Sequence, residues 1–312
     1  MKILNLEPQD YSAEALALIE KAGTVENGPL SRTALKKNIK NYDAVIVRLG
    51  HKIDKEILDA ASNLKVIITA TTGLNHIDTV EAEKRGIEVL SLKGERDFLD
   101  TIHATAEHTF ALLLSLIRNI PSSACDVHDG KWNRDEFKGT ELNGRTIGII
   151  GYGRIGSKVA KYAEAFRMNV IANDILDIAG VNMTDLNSLL SKSDIVSLHV
   201  PYSENTHHMM NRSRFQQMKK DALFINTARG EIVDETALLE ALKLSHVAGA
   251  ALDVLQGENS GRKSWLKNDA LWKYARKHSN LLITPHIGGA TYDSMEKTEI
   301  FMAQQFLKWR RG

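Results

Sequence analysis

The chain has 312 residues, enough for two domains of ordinary size. Its 40 Lys and Arg against 39 Asp and Glu leave a formal charge of +1, which argues against the clustered cations of a nucleic-acid-binding surface, and 43% hydrophobic with 25% charged residues is the mix of a globular protein. No apolar run approaches the roughly 20 residues of a membrane span, the N-terminus turns polar too early for a secretory signal, and the single Cys125 cannot form an internal disulfide, which fits a reducing cytoplasm.

The first six residues read as a buried strand. The pattern then predicts a helix over residues 13–21, a strand over 43–48, a helix at 54–61, a strand at 66–70, a helix at 77–84 that Gly86 can end, and a strand at 88–92. A long apolar helix is predicted over residues 105–120 and stopped by Pro121, with a polar stretch following as far as residue 143. Strands resume at residues 146–150, 169–172, 195–200, 222–227, 247–253 and 281–284. Helices at 155–165, 186–191, 213–218 and 236–242 alternate with them, and residues 294–309 are amphipathic. Two separate series of alternating strands and helices predict two α/β lobes, each with a parallel sheet.

The strand at 146–150 runs directly into GYGRIG, residues 151–156, with a helix behind it. In such a G-x-G-x-x-G turn Gly151 permits the sharp bend, Gly153 lets backbone N–H groups approach a pyrophosphate, and Gly156 lets helix and strand pack closely. The helix N-terminus adds partial positive charge for the anion. Asp174 ends the next strand, where a carboxylate can accept the ribose hydroxyls of an adenosine and repel a 2′-phosphate, favouring NAD over NADP. GRKS at 261–264 lacks the order of a P-loop. Neither the His207–His208 pair nor His103 with His108 has metal-ligand spacing, so no metal site is expected, and His108 reads as a packing or interface residue.

Three segments follow strands of the second series: NTARG (226–230), ALDVLQGE (251–258) and TPHIGG (284–289). Ligands of open α/β sheets sit at the carboxyl ends of strands, so Arg229, Glu258 and His286 are candidates to converge there. A hydride moved between a carbinol carbon and NAD must be matched by a proton on the oxygen, which an imidazole handles best near neutrality. A carboxylate holds the imidazole's tautomer, and a guanidinium clamps a substrate carboxylate.

Together AEHTFALLLSLIRNI, GRTIGIIGYGRIGSKVA, HVPYSENTHHMMN, NTARGEIVDETALLEAL, GAALDV and LLITPHIGGAT resemble the D-isomer-specific 2-hydroxyacid dehydrogenase family over nearly the whole chain. The motifs are most like its D-3-phosphoglycerate dehydrogenase branch, without a C-terminal regulatory domain because the sequence stops at Gly312. The resemblance implies two Rossmann-like or flavodoxin-like lobes separated by a cleft. Residues 1–98 and 287–312 would form a substrate-binding domain, and residues 99–286 an NAD-binding domain inserted into it. It implies Arg229, Glu258 and His286 as catalytic residues. For NAD it implies Gly151, Gly153, Arg154, Ile155, Gly156, Asp174, His199, Val200, Pro201, Thr206, Thr227, Ala228, Arg229, Asp253, His286 and Gly288. For substrate it implies Arg48, Thr72, Gly73 and Arg229.

The expected activity is interconversion of a small D-2-hydroxy acid and its 2-oxo acid with NAD, the candidates being D-3-phosphoglycerate and the glyoxylate or hydroxypyruvate pair, in a cytoplasmic homodimer joined through residues 105–120. The alternatives are an NADH-sensing protein of corepressor type and a formate-type dehydrogenase, in which a Gln would replace the acid partner of the histidine; Gln256 is near enough in sequence to take that place. Departures from the family pattern are Thr71 where another glycine is common, the absence of proline after Glu258, and Leu49 and Gly50 where phosphoglycerate enzymes carry a second arginine, which argues against a phosphorylated substrate. Residues 259–280 form an insert in which Leu266, Leu271, Trp272 and Ala275 are spaced as a short amphipathic helix.

Overall fold

The computed structural model describes residues 1–258 and 264–312. The chain forms two compact units, one of Met1–Ile102 with Ala290–Gly312 and one of His103–Gly289.

In the first unit the strands β1 (Lys2–Asn5), β2 (Thr24–Asn27), β3 (Ala44–Ile46), β4 (Val66–Ile68) and β5 (Glu88–Leu90) form a parallel sheet in the order β2-β1-β3-β4-β5. Successive side chains leave a strand on opposite faces, and both faces here are covered. Leu4, Val45 and Ile67 pack with Leu35 and Ile57 on one side, while Ile3, Ala44, Ile46, Val66 and Ile68 pack with Met302, Ala303 and Phe306 of the C-terminal helix Tyr292–Arg311 on the other. Helices α1 (Ala13–Glu20), α2 (Arg32–Asn38), α3 (Lys55–Asp59) and α4 (Thr79–Lys84) start at Ser12, Ser31, Asp54 and Asp78, whose side chains each accept an N–H of the first turn; α5 is Arg96–Asp100. Strand β2 and helix α2 escaped the sequence reading. Of the side chains of β2 only Val25 packs against the core and the other three are exposed, so its pairing with β1 carries little apolar signal.

In the second unit β6 (Thr146–Ile150), β7 (Asn169–Asn173), β8 (Ile195–Leu198), β9 (Leu223–Asn226), β10 (Gly249–Leu252) and β11 (Leu281–Ile283) form a parallel sheet in the order β11-β10-β9-β8-β6-β7. The chain leaves β6 towards β7 and returns to place β8 on the other side of β6. That reversal is the switch point beyond which open α/β sheets bind ligands. The flanking helices are α6 (Ala104–Ile117), α7 (Ile120–His128), α8 (Arg154–Ala165), α9 (Leu186–Lys192), α10 (Arg212–Gln217), α11 (Glu235–Lys243), α12 (Trp265–Asn268) and α13 (Ala270–Ala275).

One prediction is corrected. The helix expected over 105–120 is interrupted at Asn119, whose left-handed φ of 53° breaks it, and Pro121 sits in the first turn of α7, where its missing N–H costs nothing. Pro121 therefore helps to open a second helix inside the stretch read as polar loop. Of the insert, residues 259–263 lie outside the described residues. Beyond them Leu271 and Tyr274 join the core with Trp265, Leu266 and Ala275 against it, so α13 is part of the unit's packing. Residues 287–289 belong to this unit because Asp253 binds the N–H groups of Ile287 and Gly288. No single helix among the described residues is long and apolar enough to cross a membrane.

Candidate active site

The glycine turn comes off the end of β6. Gly151 has φ +91°, open to glycine at low cost, and a Cβ there would press on the backbone of His199. A Cβ on Gly156 would collide with the Gly151 carbonyl oxygen, so α8 can lie this close only with glycine. Around Gly153, the residue before α8, a Cβ would meet nothing within 4 Å, leaving space for a ligand at the helix N-terminus. Arg154 and Ile155 open α8, Ile155 against the core. Asp174 follows β7; its Oδ2 accepts the Tyr152 N–H at 2.7 Å and its Oδ1 accepts the Leu176 N–H at 3.1 Å, which anchors the carboxylate beside the turn. These features fit the pyrophosphate and adenosine ribose of NAD.

The next strand ends supply the rest of this rim. The His199 N–H donates to the Ile150 carbonyl at 2.7 Å, and its Nε2 lies 2.8 Å from Ser197 Oγ. Burial pushes its imidazole down to about 3, so the ring is neutral. Val200 and Pro201 follow, and Thr206 Oγ1 ties the loop by donating to the Pro201 carbonyl at 2.8 Å while the Ser203 N–H donates to it at 2.7 Å. Beyond β9, Thr227 Oγ1 pairs with Thr109 Oγ1 of α6 at 2.9 Å in the interior. Asn226 bridges its own loop: the Ala228 N–H donates to its Oδ1, and its Nδ2 donates to the Arg229 carbonyl, both at 2.9 Å.

Beyond β10, Asp253 is buried and fully engaged. It accepts Thr284 Oγ1–H at 2.6 Å, the Ile287 N–H at 2.9 Å and the Gly288 N–H at 2.7 Å, and lies 3.2 Å from His108 Nε2. Burial works to raise this carboxyl, but the bonds from His108, Thr284 and the two N–H groups hold it below the usual carboxylate range. A Cβ on Gly288 would stand 2.9 Å from Asp253 Oδ2 and press on the carboxylate that the Gly288 N–H binds. With its far end fixed in this way, the segment 284–288 presents His286 in a left-handed conformation, φ +54°, its N–H shared between the carbonyls of Asp253 and Thr284. Its Nδ1 is 2.9 Å from Glu258 Oε1, with about a quarter of the side chain exposed. A carboxylate only accepts, so Nδ1 carries a proton and Nε2 is left for a ligand. The Gln256 side chain instead reaches towards His208, 3.4 Å away. The acid partner of His286 is Glu258, which removes the ground for a formate-type centre.

The residues assigned to substrate in the first unit are placed differently. The Arg48 guanidinium donates to the carbonyls of Glu7 at 3.0 Å and Gln9 at 2.8 Å and pairs with the buried Glu299 at 3.4 Å and with Glu7 at 3.8 Å. The guanidinium nitrogens of Arg48 thus face groups of the protein itself. Thr72 is exposed, and the Gly73 carbonyl accepts Thr71 Oγ1–H at 2.9 Å. The sequence reading missed His108 as a partner of Asp253, because the two are 145 residues apart, and Glu235, which reads simply as an acidic residue in a helix's first turn.

Residues 110–288 match the NAD binding domain of the D-isomer specific 2-hydroxyacid dehydrogenases. The whole chain is 38% identical to a D-3-phosphoglycerate dehydrogenase of Archaeoglobus fulgidus, of which it spans 58%. Over 91% of its length it is 39% identical to a glyoxylate reductase of Thermofilum pendens, spanning 83% of that protein. Its fold matches, with a TM-score of 0.84 and 31% identity, the structure of D-lactate dehydrogenase from Aquifex aeolicus complexed with NAD and lactic acid, covering all of this chain and 96% of that one. The chain belongs to the D-isomer specific 2-hydroxyacid dehydrogenase family, and its second unit is the family's NAD-binding domain.

Proposed function

We propose that the protein reduces a small 2-oxo acid to the D-2-hydroxy acid, and catalyses the reverse oxidation, with NAD as the coenzyme. The observation that carries this reading is the 2.9 Å contact of His286 Nδ1 with Glu258 Oε1 on the ligand-binding rim of an NAD-binding domain. Bound NADH supplies the hydride to the carbonyl carbon. As the charge develops on the carbonyl oxygen, protonated His286 donates from Nε2, and Glu258 offsets the positive charge on the ring and fixes its tautomer. Arg229 holds the substrate carboxylate. In the oxidation His286 starts neutral at Nε2 and takes the hydroxyl proton. Asp174 favours NAD over NADP by repelling a 2′-phosphate.

A small, unphosphorylated acid of the glyoxylate or hydroxypyruvate kind is the preferred substrate class, since Leu49 and Gly50 offer no cation and Arg48 is engaged within the protein. The exposed Cys125 fits a reducing cytoplasm. A second copy of the chain is the proposed partner. Helix α6 spends its apolar face on its own core, whereas Ile120, Val127 and Trp132 just beyond it are exposed, so that segment is the surface for pairing.

The test follows NADH and NADPH consumption with glyoxylate, hydroxypyruvate, phosphohydroxypyruvate and 2-oxoglutarate. Turnover with NADH and one of the small unphosphorylated acids is expected. Tight NADH binding with no turnover of any of them would refute the enzymatic reading in favour of a sensor.

A further inference from the structure

Glu258 stands at the end of a tight turn, its N–H bonded to the Leu255 carbonyl at 3.2 Å. That turn is gripped from three directions. A Cβ on Gly230, the residue after Arg229, would collide with the Leu255–Gln256 peptide, so the Arg229 segment lies directly against it. Gly257 packs on the Trp265 ring, 2.8 Å from where a Cβ would stand. The third grip is a hydrogen bond: the Gln256 N–H donates to Glu235 Oε1 at 2.6 Å.

Glu235 is the first residue of α11, and Asp234 already caps that helix by accepting the Ala237 N–H at 3.0 Å. A second acid serves no capping need, and its surroundings oppose it. Glu235 is partly buried, with Asp269, Glu231 and Glu258 as the charged groups bearing on it. Burial first and those three carboxylates after it raise its carboxyl to about 7, against the pull of the Gln256 N–H. A carboxyl oxygen accepts the N–H whether the group is ionised or neutral, so the tie persists across this titration.

We propose that Glu235 is a positioning residue for the reaction: by holding the Gln256 N–H it fixes the turn that aims Glu258 at His286 and keeps that turn in register with the segment carrying Arg229. This rests on the catalytic reading given above, and the test separates the two. Amide hydrogen exchange and steady-state kinetics are measured on the full chain with Glu235→Ala, Glu235→Asp and Glu235→Gln, alongside Glu258→Gln, with circular dichroism and melting as controls for folding.

In Glu235→Ala, exchange at Gln256 rises about tenfold, the loss of roughly one hydrogen bond. With it kcat falls about tenfold at unchanged KM for NADH, and the alkaline limb of kcat for reduction moves to lower pH, as it does in Glu258→Gln. Glu235→Asp, which keeps the charge but draws the acceptor back, behaves in the same direction, and it decides the matter if the alanine variant does not fold. Glu235→Gln keeps an acceptor oxygen at the same reach and stays close to the parent protein in all three. Unchanged exchange at Gln256 and an unmoved pH limb in the alanine or aspartate variant overturn the proposal, as does a glutamine variant as impaired as the aspartate one. If the parent protein turns over no 2-oxo acid, the function reading fails, while the exchange result still decides the role of Glu235.

Discussion

A charged group taken out of water survives in a fold only if its surroundings answer it, and the site is arranged around three answered carboxylates. Asp253 receives its bonds from His108, Thr284, Ile287 and Gly288, Glu258 faces His286, and Glu235 holds the Gln256 N–H. Burial and its acidic neighbours raise the Glu235 carboxyl to about 7 from an ordinary 4.5. Below about 4.5 folded and unfolded chains both hold this proton; between 4.5 and 7 the folded chain holds more, so stability falls as pH rises through that window. The Glu235→Gln variant removes the dependence: chemical denaturation at pH 5 and pH 7.5 should show the parent losing about 2 kcal/mol more than the variant. Asp174→Ala should weaken NADH and narrow the gap to NADPH in fluorescence titrations, and equal affinities before and after the change would remove Asp174 from the coenzyme site. The pair His286 and Glu258 was legible in the sequence because reaction chemistry demands an acid and its partner at strand ends. The contact of Arg48 with Glu299 was not legible, because the two lie 251 residues apart and no local pattern announces the pairing.

At the level of elements, the strand-turn-helix at residues 146–165 carries its function in what it lacks. Gly156 permits α8 to touch the Gly151 carbonyl, so Gly156→Ala should cost about 1–3 kcal/mol in thermal or denaturant unfolding and abolish NADH binding. His199, held neutral by burial, binds a proton in the unfolded chain but not in the fold between pH 6.5 and about 3; stability should therefore drop as pH falls from 6.5, an effect read from melting curves and absent in His199→Asn. Buried parallel strands such as TIGII announced themselves as apolar runs. β2, with Val25 its one side chain against the core, gave no such signal, and Pro121 was read as a stop because the same residue that ends one helix is also favoured in the first turn of another.

At the scale of the molecule, the two units each bury both faces of a parallel sheet in their own cores, and the alternation of strand and helix in the sequence was sufficient to anticipate that. The resemblance implied pairing through residues 105–120, and the proposed surface moves to the exposed side chains just beyond them. With the apolar face of α6 packed in its own core, the proposed pairing predicts that replacing Val127 and Trp132 by Asp lowers the mass from dimer to monomer in sedimentation velocity, whereas an unchanged mass would exclude this face. The proposed reaction depends on the imidazole at position 286 delivering the proton. The most direct measurement is kcat and NADH dissociation constant for His286→Ala: a fall in kcat of about 10²–10⁴-fold with NADH affinity nearly unchanged is the predicted result, and retained turnover in that variant would contradict it.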